Sequence, residues 1–191
     1  MSKKKIFQAV VIIYVVLVVG MYIYDFSKYE TVEIEKINIS QERAEKPVGE
    51  IIGRFKVGQT FYSTQDNFSG VYIKFATYNR NNMEDIIFHL KEEPGSRNDI
   101  YTTTFNGMKI IDNEFFKIEI PTIEDSKNKN YYFELESPKS MEGNAITVWS
   151  TNIDSYQGGS THINRKPVEG DLSFKTFYKV KEKVLRKRKS E

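Results

Sequence analysis

Residues Ile6 to Tyr24 form an almost uninterrupted apolar run, preceded by Lys3, Lys4 and Lys5 and followed by Phe26 and Tyr29. Gln8 is its one strongly polar member. Its nineteen residues would span roughly 28 Å as a helix, about the thickness of one hydrocarbon core. One transmembrane helix over residues 6–26 is therefore expected. Valine and isoleucine do not argue against a helix there, because in lipid the backbone must satisfy its own hydrogen bonds. The three lysines are expected to stay on the cytoplasmic side, and the tyrosines at the far end of the run to sit in the opposite headgroup layer. Residues 1–5 are thus expected to be a cytoplasmic basic start, and the rest of the chain an extracytoplasmic part of a single-pass cell-membrane protein.

A cleaved signal peptide has the same basic start, but a shorter apolar core and a small-x-small cleavage site. Val18 and Gly20 match that site poorly, and Met21, Tyr22 and Tyr24 are bulky where a peptidase needs small residues. A retained anchor is the expectation. Attachment through a lipidated cysteine is ruled out, since the chain has no cysteine. The same count removes disulfides, thiol catalysis and zinc–thiolate sites, so packing and hydrogen bonds must stabilise the outer part.

Beyond the anchor lie roughly 150 residues, enough for one domain with its own core. The formal charge is +2, but Lys3–Lys5 and seven Lys or Arg in residues 179–191 account for the positive excess. The body between them is acidic. Nucleic acid is an unsuitable partner for such a body, because that binding rests on clustered cations neutralising phosphates.

Residues 27–50 are charged and lack aromatics after Tyr29, with one broken alternation, Val32, Ile34, Ile37 and Ile39. They are expected to form a stalk with at most a marginal strand. From residue 51 to 178 strand-like stretches recur between Gly, Asn, Asp, Pro and Ser clusters, the pattern of an all-β domain. Val71, Ile73 and Phe75 alternate with Tyr72, Lys74 and Ala76. Ile86, Phe88 and Leu90 behave alike, as do Phe116, Ile118 and Ile120, then Tyr131, Phe133 and Leu135, then Ile146 and Val148, then Leu172, Phe174 and Thr176. With weaker strands at Gly58–Ser63 and Tyr101–Phe105, about eight strands are expected. One-sided alternation favours antiparallel strands in two packed sheets. Asn106-Gly107 is a strong hairpin signal. Asp112-Asn113, Pro94-Gly95, Gly143-Asn144 and Gly158-Gly159 mark other corners.

With the strands placed, Gly58-Gln59-Thr60-Phe61, Phe68-Ser69-Gly70-Val71-Tyr72-Ile73, Asp125-Ser126 before Tyr131–Leu135, and Trp149 with Asp154, Tyr156, Gly158 and Gly159 follow in a suggestive order. That order resembles the galactose-binding-like, or carbohydrate-binding-module-like, jelly-roll sandwiches. The resemblance covers about two thirds of the chain and rests on turn and core residues. It implies a jelly-roll-like β-sandwich; families of this shape include sugar binders, adhesion modules and non-catalytic ectodomains of membrane proteins.

Sugars stack their C–H faces on aromatic rings while Asn, Asp and Arg bond the hydroxyls. Parity offers Tyr72, Tyr78, Tyr132 and Trp149 as outward rings, and Tyr156 lies in a Gly-rich loop. Arg80, Asn152 and Asp154 are their polar companions, with Trp149 the foremost candidate. The competing interpretation makes these rings peripheral packing, because large aromatics are mostly buried. A structural calcium would draw on Asp66, Asn67, Asp171 and Glu50, which lack the dense spacing of a calcium loop; no cofactor is otherwise expected. His89 and His162 are the only histidines, and no phosphate-binding loop, HExxH or GxSxG occurs. No enzymatic activity is expected, although paired carboxylates of a polysaccharide hydrolase would leave no linear motif.

The tail from residue 179 to 191 carries Val180, Val184 and Leu185 among its cations. It is open to three interpretations: a basic helix on anionic headgroups, a contact for an acidic polymer, or a disordered end. The sequence is consistent with two functions: a non-catalytic module binding glycan or protein, and an accessory subunit of a membrane-embedded glycan-handling or transport enzyme.

Overall fold

The computed structural model describes residues 2–186, without the side chains of residues 25–27. By its internal contacts the chain forms two units, Met1–Ile34 with Val180–Glu191, and Glu35–Lys179. In the first, helix α1 (Lys3–Lys28) opens with Ser2 as its cap, whose hydroxyl accepts from the Lys4 N–H at 3.3 Å. Its segment Lys3–Tyr24 has a mean hydropathy of 2.6 and is long and apolar enough to cross a membrane. None of that apolar surface is covered by the rest of the protein, so a bilayer is the environment that would satisfy it.

The strands are β1 (Tyr29–Gln41), β2 (Lys46–Pro47), β3 (Lys56–Ser63), β4 (Phe68–Ala76), β5 (Asp85–Lys91) and β6 (Tyr101–Asn106). They continue with β7 (Phe115–Ile123), β8 (Lys129–Glu136), β9 (Thr147–Ser150), β10 (Thr161–Ile163), β11 (Lys166–Val168) and β12 (Phe174–Leu185). The division between the two units falls within β1 and within β12. The first sheet has the order β1-β12-β4-β9-β2, with β7 on the other edge of β4, and the second has the order β11-β10-β3-β8-β5-β6. The fold is the expected two-sheet antiparallel β-sandwich, but with twelve strands among the described residues rather than about eight.

The four additional strands are β1, β2, β10 and β11. Three of them are only two or three residues long, too short for an alternation to show. The fourth, β1, lies in the segment expected to be a stalk, and its neighbour in the sheet is β12. Residues 179–185 of the basic tail belong to β12 and Arg186 follows it; residues 187–191 lie outside the described residues.

The core is aromatic and continuous between the sheets. Phe61 packs edge-on to Phe68 at 5.2 Å and stacks with Tyr131 at 5.6 Å. Phe133 of the second sheet meets Phe174 of the first at 5.7 Å, and Phe105 stacks on Phe116 at 4.6 Å, closing one side. Such pairs add to the stabilisation from burial, about 0.5–1.5 kcal/mol each.

Two turns differ from expectation. Asn106-Gly107 does not make a hairpin: the chain leaves the second sheet there and enters the first. Asn106 instead caps a short 3-10 turn, its side-chain oxygen accepting from the Met108 N–H at 3.1 Å. The two-residue hairpin turn lies between β10 and β11, where Asn164 and Arg165 have φ of 49° and 66°. Arginine is an unusual choice at a position that favours Gly.

Candidate functional site: the outer face of the first sheet

Register determines which side chains share this face. Lys74 of β4 lies opposite Phe115 of β7, and Tyr72 lies between Lys117 of β7 and Lys175 of β12. Phe75 pairs with Val148, so alternation turns Trp149 outward with Lys74. Trp149, Phe115 and Tyr72 are half-buried there, interleaved with lysines.

The Trp149 indole N–H donates to Asn113 Oδ1 at 2.8 Å. Asn113 is itself fixed: its N–H donates to the Phe75 carbonyl at 3.0 Å and its Nδ2 to Asp112 Oδ2 at 2.7 Å. Asp112 Oδ1 in turn accepts from the Thr77 N–H at 2.6 Å and the Thr77 hydroxyl at 2.9 Å. A ring held through its polar edge keeps one orientation, as a stacking platform requires. The Lys175 ammonium sits 4.5 Å from the Phe115 ring centre and pairs with Glu42 at 2.8 Å. Lys74 has no ion pair among the described residues.

Farther along the face the polar groups satisfy one another. The Tyr72 hydroxyl donates to Glu35 at 2.5 Å, and Lys117 pairs with Glu35 at 2.6 Å while lying 4.6 Å over the Phe177 ring. Burial, then the Glu35 carboxylate, push the Tyr72 phenol up to about 12. Phe177 is outward by register yet fully buried. Its ring lies where a side chain on Gly70 would stand, 2.6 Å from that position. The face therefore has a closed half around Tyr72 and an open half around Trp149, Phe115 and Lys74.

The other expected site residues do not join this group. Tyr132 is fully buried on the outer face of the second sheet, with its ring over Gly58, His162 edge-on at 5.4 Å and its hydroxyl donating to Glu134 at 3.1 Å. Tyr78 is exposed in the loop after β4, with Arg80 stacked on it at 4.7 Å and paired with Glu50. Tyr156 packs on Phe174 at 5.5 Å, and its hydroxyl accepts from the Tyr62 N–H at 3.0 Å. Asn152 and Asp154 are exposed. Asn152 borders a side cleft of about 540 Å³ with Lys46, Val48, Thr161 and Val168.

Three of the four residues considered for calcium, Asp66, Glu50 and Asp171, have their carboxylates engaged by protein donors. Asp66 accepts from the Lys127 N–H at 2.9 Å, and Glu50 accepts from the Gly143 N–H at 3.1 Å. Asp171 is buried and accepts from Gln59 Nε2 at 3.0 Å and from the Ser155 and Tyr156 N–H groups at 2.8 Å each. Burial raises its carboxyl above the usual range against these donors. Among the described residues no group of three His, Asp or Glu could hold a metal ion.

Sequence reasoning missed an ionic chain on the outer face of the second sheet. Glu134 is fully buried and takes both Nε and Nη2 of Arg165 at 3.0 Å, with Lys56 at 3.5 Å. Lys56 also pairs with Glu136, which faces His89 Nε2 at 3.2 Å. His89 Nδ1 faces Asp99 at 2.8 Å, and Asp99 pairs with the buried Lys91. Both His89 nitrogens are thus occupied by carboxylates. His162 is buried, which lowers its pKa, and its Nδ1 lies 3.0 Å from the Ser160 carbonyl oxygen. No linear motif marks this chain of charges, because its members come from β3, β5, β8, one loop and one turn.

These features define a class: an antiparallel β-sandwich carrying one N-terminal helix apolar enough to cross a membrane. Compared with family models, curated proteins and solved structures, the chain matches none, and nothing beyond the sandwich supports membership of the galactose-binding-like group.

Proposed function

We propose that the protein is a single-pass membrane protein, amino terminus in the cytoplasm, whose sandwich stands outside and binds glycan without catalysis through the open half of the first sheet's outer face. The observation that carries this function is the half-buried Trp149, its N–H fixed by Asn113, beside Lys74 and Phe115 on the same face. Rigid rings supply the stacking surface, and lysine and asparagine supply hydroxyl partners. The occupied ring nitrogens of His89 and the burial of His162 leave neither imidazole placed as a general base, which supports a non-catalytic role. The test is glycan-array binding by the full chain in lipid nanodiscs. Trp149→Ala is expected to weaken binding about tenfold while the melting temperature stays within a few degrees.

A second function, accessory subunit of a membrane enzyme, is favoured by a different surface. Met83, Met108 and Ile111 are 61%, 67% and 71% exposed. The loops bearing them are tied together: Asn106 Nδ2 donates to the Met83 carbonyl at 2.7 Å and the Gly107 N–H to the Glu84 carbonyl at 3.0 Å. Exposed methionines suit a protein partner. Loss of a stoichiometric co-purifying membrane protein on Met83→Ser with Met108→Ser would support this function, and unchanged co-purification would count against it.

A further inference from the structure

We propose that β6 is a dimerisation edge, pairing antiparallel with β6 of a second copy so that the two second sheets become one. Among the described residues five strands end the sheets: β1, β2 and β7 in the first, β6 and β11 in the second. Open edges invite strand addition, and proteins block them with charge or proline. β1 carries Glu30, Glu33, Glu35 and Lys36; β2 and β11 each carry Lys-Pro; and β7 carries Lys117, Glu119 and Pro121. β6, Tyr-Thr-Thr-Thr-Phe-Asn, carries neither device.

Its backbone is available for pairing. The Gly107 N–H donates to Glu84 and the β5–β6 register continues unbroken from Asp85↔Asn106. Alternation then turns Phe105 and Thr103 toward β5, and leaves the N–H and C=O groups of Thr102 and Thr104 directed outward. Both threonines are exposed.

The occupant is a second copy because the strand is complementary to itself. A two-fold axis through Thr103 sets Thr102 opposite Thr104 of the second copy, so that both outward-directed pairs exchange hydrogen bonds. The same axis sets Thr103 against Thr103 and Tyr101 against Phe105. Thr–Thr and aromatic pairs are favourable across strands, no like charges meet, and the interface is isologous. A strand of six residues is a small interface. Confining both copies to one bilayer through α1 raises their effective concentration and makes a small contact sufficient.

The cysteine-free sequence allows a direct test on the full chain in membranes. Thr103→Cys places two thiols at a non-hydrogen-bonded pair, about 4.5 Å apart at Cα, within disulfide range. Mild oxidation is expected to convert most of the protein to a disulfide-linked dimer. Thr104→Cys alone, two positions off register and about 8–9 Å apart at Cα, is expected to cross-link little, as is Asn98→Cys in the adjoining loop. Adding Thr104→Lys to Thr103→Cys is expected to reduce the dimer roughly tenfold or more. A monomeric Thr103→Cys protein, equal cross-linking at Asn98→Cys, no effect of Thr104→Lys, or an adduct with a different protein would each overturn the proposal.

Discussion

Arg165 approaches the fully buried carboxylate of Glu134 with two parallel hydrogen bonds, Nε and Nη2 each at 3.0 Å, from a turn position with φ of 66°. The unfavourable backbone conformation is offset by a bidentate, charge-assisted contact that a glycine could not make. Burial alone would raise the Glu134 carboxyl; Arg165, then Lys56 and Tyr132, reverse that and hold it below the ordinary carboxylate range.

Arg165→Ala should cost about 2–3 kcal/mol, below the 3–5 kcal/mol typical of a broken buried pair. The reduction reflects the 42% exposure of the Arg165 side chain. Urea titration at neutral pH measures it. A loss below about 0.5 kcal/mol would mean that Glu134 is held without Arg165.

Acid should act on the two buried carboxylates in opposite senses. Glu134 has a lowered pKa in the fold, so its contribution is full above the unfolded value of about 4.3 and disappears as pH falls through the folded value. Asp171 is raised, so it costs stability as pH rises from about 3.9 through its folded value. Comparing stability against pH for the wild type and Glu134→Gln should show a steeper acid loss in the wild type. Parallel curves would contradict the assignment.

Asp171→Asn should destabilise by about 1–3 kcal/mol even though it removes a buried charge. Gln59 Nε2 and the Ser155 and Tyr156 N–H groups all donate to Asp171. An amide NH₂ would therefore face a donor in either orientation. Thermal unfolding checks this, and a stabilised variant would contradict it.

A fragment starting at Ile51 should aggregate where one starting at Tyr29 stays folded. The shorter piece lacks β1 and β2, including the buried Ile39 and the Gln41 side chain, whose Nε2 donates to the Leu172 carbonyl at 3.1 Å. Light scattering of the two fragments distinguishes them.

Much of the fold was legible because period-two alternation survives wherever a strand is long and one face is wet. Ile86, Phe88 and Leu90 are buried as expected, as are Val71, Ile73 and Phe75. Parity failed as a guide to exposure at Tyr132 and Phe177. Each points outward and is nevertheless buried, because it lies over a glycine, Gly58 or Gly70, and is covered by His162 or Lys117. A glycine in the sequence looks like a turn or core residue, and only the register reveals what covers it. Parity alone turns Trp149, Tyr72 and Lys74 outward, whereas only register and loop contacts, which no local pattern encodes, bring Lys74, Phe115 and Asn113 beside Trp149.

Whether the Trp149 face takes glycan is measured most directly by binding of the full chain in nanodiscs to an array of envelope polysaccharides, repeated with Trp149→Ala, Lys74→Ala and Tyr132→Phe. Binding is expected to weaken about tenfold on losing the ring, to weaken measurably on losing Lys74, and to be unchanged for Tyr132→Phe. Binding retained in full by Trp149→Ala, or no glycan bound by the wild type, would contradict glycan binding at this face.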